Sequence, residues 1–148
     1  MSDLELIRVF AGADKGLAFV AFSRTDGTVH QSLVNAGVMP HPLTGDEVVA
    51  FVVRGDAVKL RHWRNESKAS IVFRSGWAWA GAEGTVTIIG PDGLTDYPAD
   101  AVPQLLRDVF TAAGGTHNDW DEYDRVMAAE TRAAVFITPT KIRGYGTP

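Results

Sequence analysis

The chain has 148 residues, 45% of them hydrophobic, which is the size of one compact domain with enough apolar side chains for a core. A formal net charge of -4 leaves no general basic field to gather nucleic acid or an anionic membrane surface, and the lack of cysteine excludes disulfides, thiolate metal sites and a cysteine nucleophile. The start, MSDLELIRVFAG, lacks the basic flank and apolar stretch of a secretory signal, and no apolar run approaches the roughly 20 residues of a membrane helix, so a cytoplasmic protein is expected.

Ser2 followed by Glu5 makes a capping-box pattern, and the apolar spacing after it predicts a helix over 3–11. Two β-rich runs, 17–24 and 28–37, flank Thr25-Asp26-Gly27, and the Asp-Gly pair predicts a hairpin turn between them. Two prolines and a glycine make 38–47 a loop; VVAFVV (48–53) is then a β-branched strand. Ala57, Leu60 and Trp63 recur at helical spacing, which predicts a short basic helix over 55–65. Strands are expected at 69–75 and 77–90, the second with aromatic residues at alternate positions. Residues 91–98 read as a turn, and helices are expected over 99–113 and 117–129, parted by Gly114-Gly115, with Thr116 as N-cap of the second. A last strand covers 133–139, which IRGYG can extend. Short antiparallel strands with helices inserted between them predict a single α+β domain, a small barrel spanning 1–148.

The usual catalytic signatures are missing: there is no Gly-rich phosphate loop, no GxSxG elbow and no HExxH. His41, between two prolines, and His117, beside acidic residues, read as structural or solvated. The carboxylates at 119–124 sit where a helix N-terminus favours negative charge, so no metal site is expected. The informative stretch is 54–74, where Arg54, Lys59, Arg61, Arg64, Lys68 and Arg74 concentrate positive charge in an otherwise acidic chain. Arg54 ends a strand, Gly55 permits close backbone approach, and Lys59 falls at the start of the short helix, a combination suited to a phosphate group. Trp77 and Trp79 are expected to project to one strand face, offering aromatic surface to a core or to a planar ring.

Four segments together resemble one family: LAFVAFSRTDGTVHQSLVNAG, VVAFVVRGDAVKLRHWRNESKASIVF, GWAWAGAEGTV and THNDWDEYDRVMAAETRAAVFITPTKI. In this order they are similar to the split β-barrel flavin and deazaflavin oxidoreductases related to pyridoxamine 5'-phosphate oxidase, a mainly antiparallel barrel with short peripheral helices. The last two segments favour the branch that uses the deazaflavin coenzyme F-420; the basic helix is shared with users of FMN.

The resemblance implies an oxidoreductase passing hydride between coenzyme F-420, or alternatively FMN, and a small unsaturated or conjugated substrate. A non-catalytic flavin- or tetrapyrrole-binding protein is the alternative from another class. By position the resemblance maps the phosphate lysine to Lys59 and the strand before it to Val52, Val53 and Arg54. It maps the strand facing the ring system to Ser32, Leu33, Val34 and Asn35, with the proton coming from solvent or from a nearby hydroxyl such as Ser32. Relatives carry an arginine just before the lysine where Ala57 and Val58 stand here, which makes Arg54 and Arg61 the candidate substitutes. A homodimer is implied, its cofactor held between subunits, with Trp77 and Trp79 serving the partner's site or the dimer contact; neither nucleic acid nor a membrane is an expected partner.

Overall fold

The computed structural model describes residues 3–92 and 95–148. Ser2 of the capping-box pattern lies outside them, as do residues 93 and 94 of the expected 91–98 turn. The chain runs α1 (Asp3–Ala13), β1 (Leu17–Ser23), β2 (Val29–Pro40), β3 (Glu47–Val53), α2 (Val58–Trp63), β4 (Lys68–Ser75), β5 (Ala78–Ile89), a 3-10 turn (Ala99–Ala101), α3 (Val102–Ala112), α4 (Trp120–Ala129) and β6 (Ala133–Tyr145). The strands close into an antiparallel barrel in the order β1-β2-β3-β6-β5-β4. This is an α+β barrel with short peripheral helices.

The β1–β2 turn forms as its residues dictate. Asp26 accepts hydrogen bonds from the Thr28 amide at 2.9 Å and the Thr28 hydroxyl at 2.6 Å, while Gly27 takes φ 88°, a left-handed conformation that residues with a side chain rarely adopt. β2 runs farther than expected: Val38, Met39 and Pro40 pair with Val49, Val48 and Glu47, so the loop is shorter than 38–47. Proline is tolerated there because it ends the strand.

Strand alternation sorts the apolar residues into two cores. Ala18, Val20, Phe22, Val34, Phe51, Ile71, Phe73, Ala80 and Val135 fill the barrel, joined by Ile7 and Phe10 of α1 and by Leu60 and Trp63 of α2. On the outer side of β3 and β6, Val48, Ala50, Ala134 and Phe136 are buried beneath Val102, Leu105, Leu106 and Val109 of α3 and Tyr123 of α4. β3 and β6 are thus covered on both faces, which is why VVAFVV and AAVFI read as unbroken apolar runs rather than alternating ones.

Three local expectations are corrected. α2 is only six residues long, because Arg54 to Ala57 form a turn closed by the Ala57 amide on the Arg54 carbonyl at 3.1 Å. α4 begins at Trp120, and its N-cap is Asp119, which accepts from the Glu122 amide at 3.1 Å, not Thr116. Trp77 is not in a strand: Ser75 pairs with Ala78, so Gly76, at φ 61°, and Trp77 form a two-residue hairpin loop.

Candidate functional site

Where the cover of α3 and α4 ends, a cleft of about 440 Å³ opens on the barrel's outer side. Leu33, Val34 and Asn35 of β2 and Val52 and Val53 of β3 form one wall, Val109, Phe110, Tyr123 and Met127 of the helices the other, and Arg54, Ala57, Lys59 and Arg132 its basic end. The volume falls within the usual range for small-molecule sites, and so does the pattern of mostly apolar lining with a few convergent polar groups.

The basic end is assembled from two distant stretches of sequence. Gly55 comes so close to Thr131 that a Cβ at Gly55 would lie 2.1 Å from the Thr131 Oγ1; only glycine allows this approach. The Gly55 amide donates to the Glu130 carbonyl at 3.1 Å, and Arg54 Nη1 reaches Glu130 Oε2 at 2.9 Å. These contacts dock the end of β3 against the turn between α4 and β6, and bring Arg132 beside Arg54.

Lys59 differs from its neighbours. Burial pushes its ammonium below the ordinary lysine value, and it forms no salt bridge among the described residues. A half-buried cation without a carboxylate is costly, and an anion in the cleft would offset that cost. Of the three cations, Arg54 and Arg132 share one carboxylate, Glu130, and Arg54 touches Asp56, which is 76% exposed and screened by water. Positive charge is left over for a ligand.

Behind Lys59, α2 closes one end of the barrel with a stack of rings. Phe22 lies parallel to His62 at 4.0 Å and to His30 at 4.8 Å between centroids. The His30 Nδ1 lies 3.3 Å from an Arg24 guanidinium nitrogen, and a guanidinium can only donate, so Nδ1 is the acceptor and the ring proton sits on Nε2. Burial holds the His30 pKa below its ordinary value, and Arg24, Lys59 and His62 add to the effect.

The expected site residues separate into two groups. Val34, Asn35, Val53, Arg54 and Lys59 come together in the cleft with Leu33 and Val52. Ser32 does not line it: its Oγ is buried and without a hydrogen-bond partner. Arg61 is exposed on α2 and does not line it either. Trp79 faces a separate, smaller depression with Gly81, Lys141 and Arg143, and Trp77 is 93% exposed at its hairpin tip. Within one chain neither tryptophan reaches the cleft.

Sequence reasoning missed Arg132 and the helical wall. An arginine just before a core strand gave a faint signal, but nothing local ties it to Arg54, 78 positions earlier. His41 packs on Phe136 with its Nδ1 accepting from the Leu43 amide at 3.1 Å, and His117 accepts from the Asp119 amide at 3.0 Å; both positions are explained by local structure.

No protein-family model matches the chain. Solved structures do resemble it. An F-420 reductase superposes with TM-score 0.61 at 12% identity, over 88% of this chain and 91% of that one. A pyridoxamine 5'-phosphate oxidase-related, FMN-binding protein from Nostoc punctiforme gives TM-score 0.60 at 11% identity, over 94% and 79%. This chain has the FMN-binding split-barrel fold. A heme-binding protein from Mycobacterium smegmatis also shares the split barrel, with TM-score 0.62 at 18% identity over 99% of this chain and 55% of that one. At these identities the likeness is one of fold, and the chemistry of this split barrel has to be argued from its own cleft.

Proposed function

We propose that the cleft holds a phosphate-bearing flavin-type cofactor, coenzyme F-420 in preference to FMN, and that the protein is a cytoplasmic oxidoreductase acting on a small unsaturated or conjugated substrate. The observation that carries this reading is Lys59: a half-buried ammonium without an ion-pair partner among the described residues, at the basic end of an otherwise apolar cleft.

The lining fits such a group. Lys59, Arg54 and Arg132 would hold the phosphate, and the apolar walls from β2, β3, α3 and α4 suit a planar ring system. Bound there, the cofactor supplies the hydride chemistry. The protein's part is to orient the ring and to exclude water with Val109, Phe110 and Met127.

Proton delivery falls to solvent. The phenol of Tyr123 bears the one hydroxyl in the lining, but it donates to the Leu106 carbonyl at 3.0 Å, and burial pushes its pKa up to about 12. The Oγ of Ser32, the hydroxyl suggested by sequence, is buried and does not line the cleft.

The preference for F-420 rests on cations beyond the phosphate end. The polyglutamate tail of F-420 adds carboxylates, and Arg61 and Lys68 are exposed on α2 and β4 to meet them, whereas Arg64 is paired with Asp92 at 2.5 Å. The cleft is rimmed on one side by Leu33 of an exposed apolar sheet face, so a second copy on that face would complete the site, which supports a homodimer.

Anaerobic titration of the purified protein with F-420 and with FMN, followed by absorbance and fluorescence, tests the assignment. Tighter binding of F-420, and its reoxidation by enones or quinones faster than in free solution, is expected. A yellow flavin that copurifies, with no measurable F-420 binding, would overturn the F-420 preference.

A further inference from the structure

The two arginines of the cleft are held by a single carboxylate that does not itself line it. Glu130 follows the last turn of α4, and its side chain is 25% exposed. Its Oε2 accepts from Arg54 Nη1 at 2.9 Å, and its Oε1 lies 3.1 Å from both Nε and Nη2 of Arg132. Its backbone carbonyl accepts from the Gly55 amide at 3.1 Å and from the Thr131 hydroxyl at 2.8 Å. Thr131 takes φ 48°, a conformation uncommon for a β-branched residue, so the surrounding contacts fix this turn closely.

We propose that Glu130 is a positioning residue for the anion site: it holds Arg54 and Arg132 side by side so that their remaining guanidinium donors face the phosphate. The inference rests on the reading that the cleft takes a phosphate-bearing cofactor. Two effects oppose each other at this residue. Its negative charge weakens the attraction for an anion, and removing it should strengthen binding if field alone mattered. Without it, however, two like charges at the adjoining ends of β3 and β6 repel, and each long side chain regains rotamer freedom that binding must then remove. Because both carboxylate oxygens are taken up by guanidinium nitrogens, its charge is largely spent on the arginines, and the ordering effect wins. Arg54 Nη2 and Arg132 Nη1 are left over from these contacts for a ligand oxygen.

The test compares wild type, Glu130→Gln and Glu130→Asp in titrations with two pairs of probes, FMN against riboflavin and F-420 against its phosphate-free deazaflavin core. Circular dichroism and the urea midpoint establish that each variant is folded. Wild type is expected to prefer the phosphate-bearing member. Glu130→Gln should weaken binding of that member about tenfold, despite the gain in positive charge, with the phosphate-free member unaffected, and Glu130→Asp should fall between. If wild type keeps its preference but Glu130→Gln binds the phosphate-bearing probe as tightly or more tightly, the positioning role is wrong while the phosphate site stands. A wild type indifferent to the phosphate in both pairs would overturn the phosphate site and this inference with it. Should Glu130→Gln fail to fold, Glu130→Asp decides: its phosphate preference must be reduced, and an undiminished preference contradicts the proposal.

Discussion

The barrel has two outer faces of similar apolar composition and opposite fate. Over β3 and β6, Val48, Ala50 and Phe136 are completely buried under α3 and α4. Over β1 and β2, Leu17, Phe19 and Leu33 are 39%, 53% and 55% exposed, with Phe19 paired to Leu33 on one side and Val72 on the other. One face is closed by the chain itself and contributes to its stability. The other is a contiguous apolar patch of the kind that marks an interaction surface. The cleft lies on the seam, drawing Leu33 and Asn35 from the bare side and Val109, Phe110 and Met127 from the cover. On the function proposed above, cofactor binding would depend on both: on the helices that wall the cleft and on a second copy seated on the bare face.

The largest effect should come from the covered face. Phe136→Ala leaves a cavity beneath α3 and should cost about 3–5 kcal/mol of unfolding free energy, whereas Phe19→Ala on the bare face should cost the isolated chain under about 1 kcal/mol; urea unfolding distinguishes them. Equal costs would mean that the two faces do not differ as described. Next, Phe19→Glu should weaken self-association by about 2 kcal/mol or more while leaving the fold intact, and should lower cofactor affinity in step. Sedimentation velocity with parallel titrations checks this, and a fully monomeric wild type that binds cofactor at full strength would contradict it.

At the seam itself, Lys59→Ala should weaken cofactor binding by about 1.5–3 kcal/mol through loss of a charge-assisted contact. Because burial lowers the Lys59 pKa, wild-type affinity should begin to fall on the alkaline side at a pH below the ordinary lysine range, and the variant should lose that dependence. Titrations across pH measure both.

The smallest effect concerns the end of the barrel behind Lys59. The folded His30 binds a proton less readily than the unfolded chain, whose histidine titrates near 6.5. The unfolded state therefore takes up the proton first, and stability present above that value is lost as pH falls from it toward the lowered folded pKa. The urea midpoint should drop on acidification, and His30→Gln should blunt the drop. An identical pH dependence in wild type and variant would assign the loss to other groups.

Much of this could be read from local sequence because local chemistry decides it. The Asp26-Gly27 turn, the unbroken apolar run of β3 and the cluster around Arg54 and Lys59 each carry their meaning within a few residues. The cleft's other half does not. Arg132 and Glu130 acquire a role only when Gly55 lets two distant segments touch, and no spacing rule encodes that approach. Phe110, Tyr123 and Met127 lie in stretches that read only as helices, and they become a cleft wall because the cover stops short of β2. Trp77 misled for the opposite reason: alternation with Trp79 suggested a shared strand face, but Gly76 turns the chain and puts Trp77 at the tip.

That a phosphate-bearing cofactor occupies this seam is tested most directly by hydrogen exchange of the protein with and without saturating F-420 or FMN. Backbone amides at 52–59 and at 130–133, which frame the basic end, should exchange more slowly in the bound state, together with those of 33–35. Protection confined to the hairpin at 75–80 around Trp77, with the amides of 52–59 and 130–133 unchanged, would contradict the assignment of the cleft.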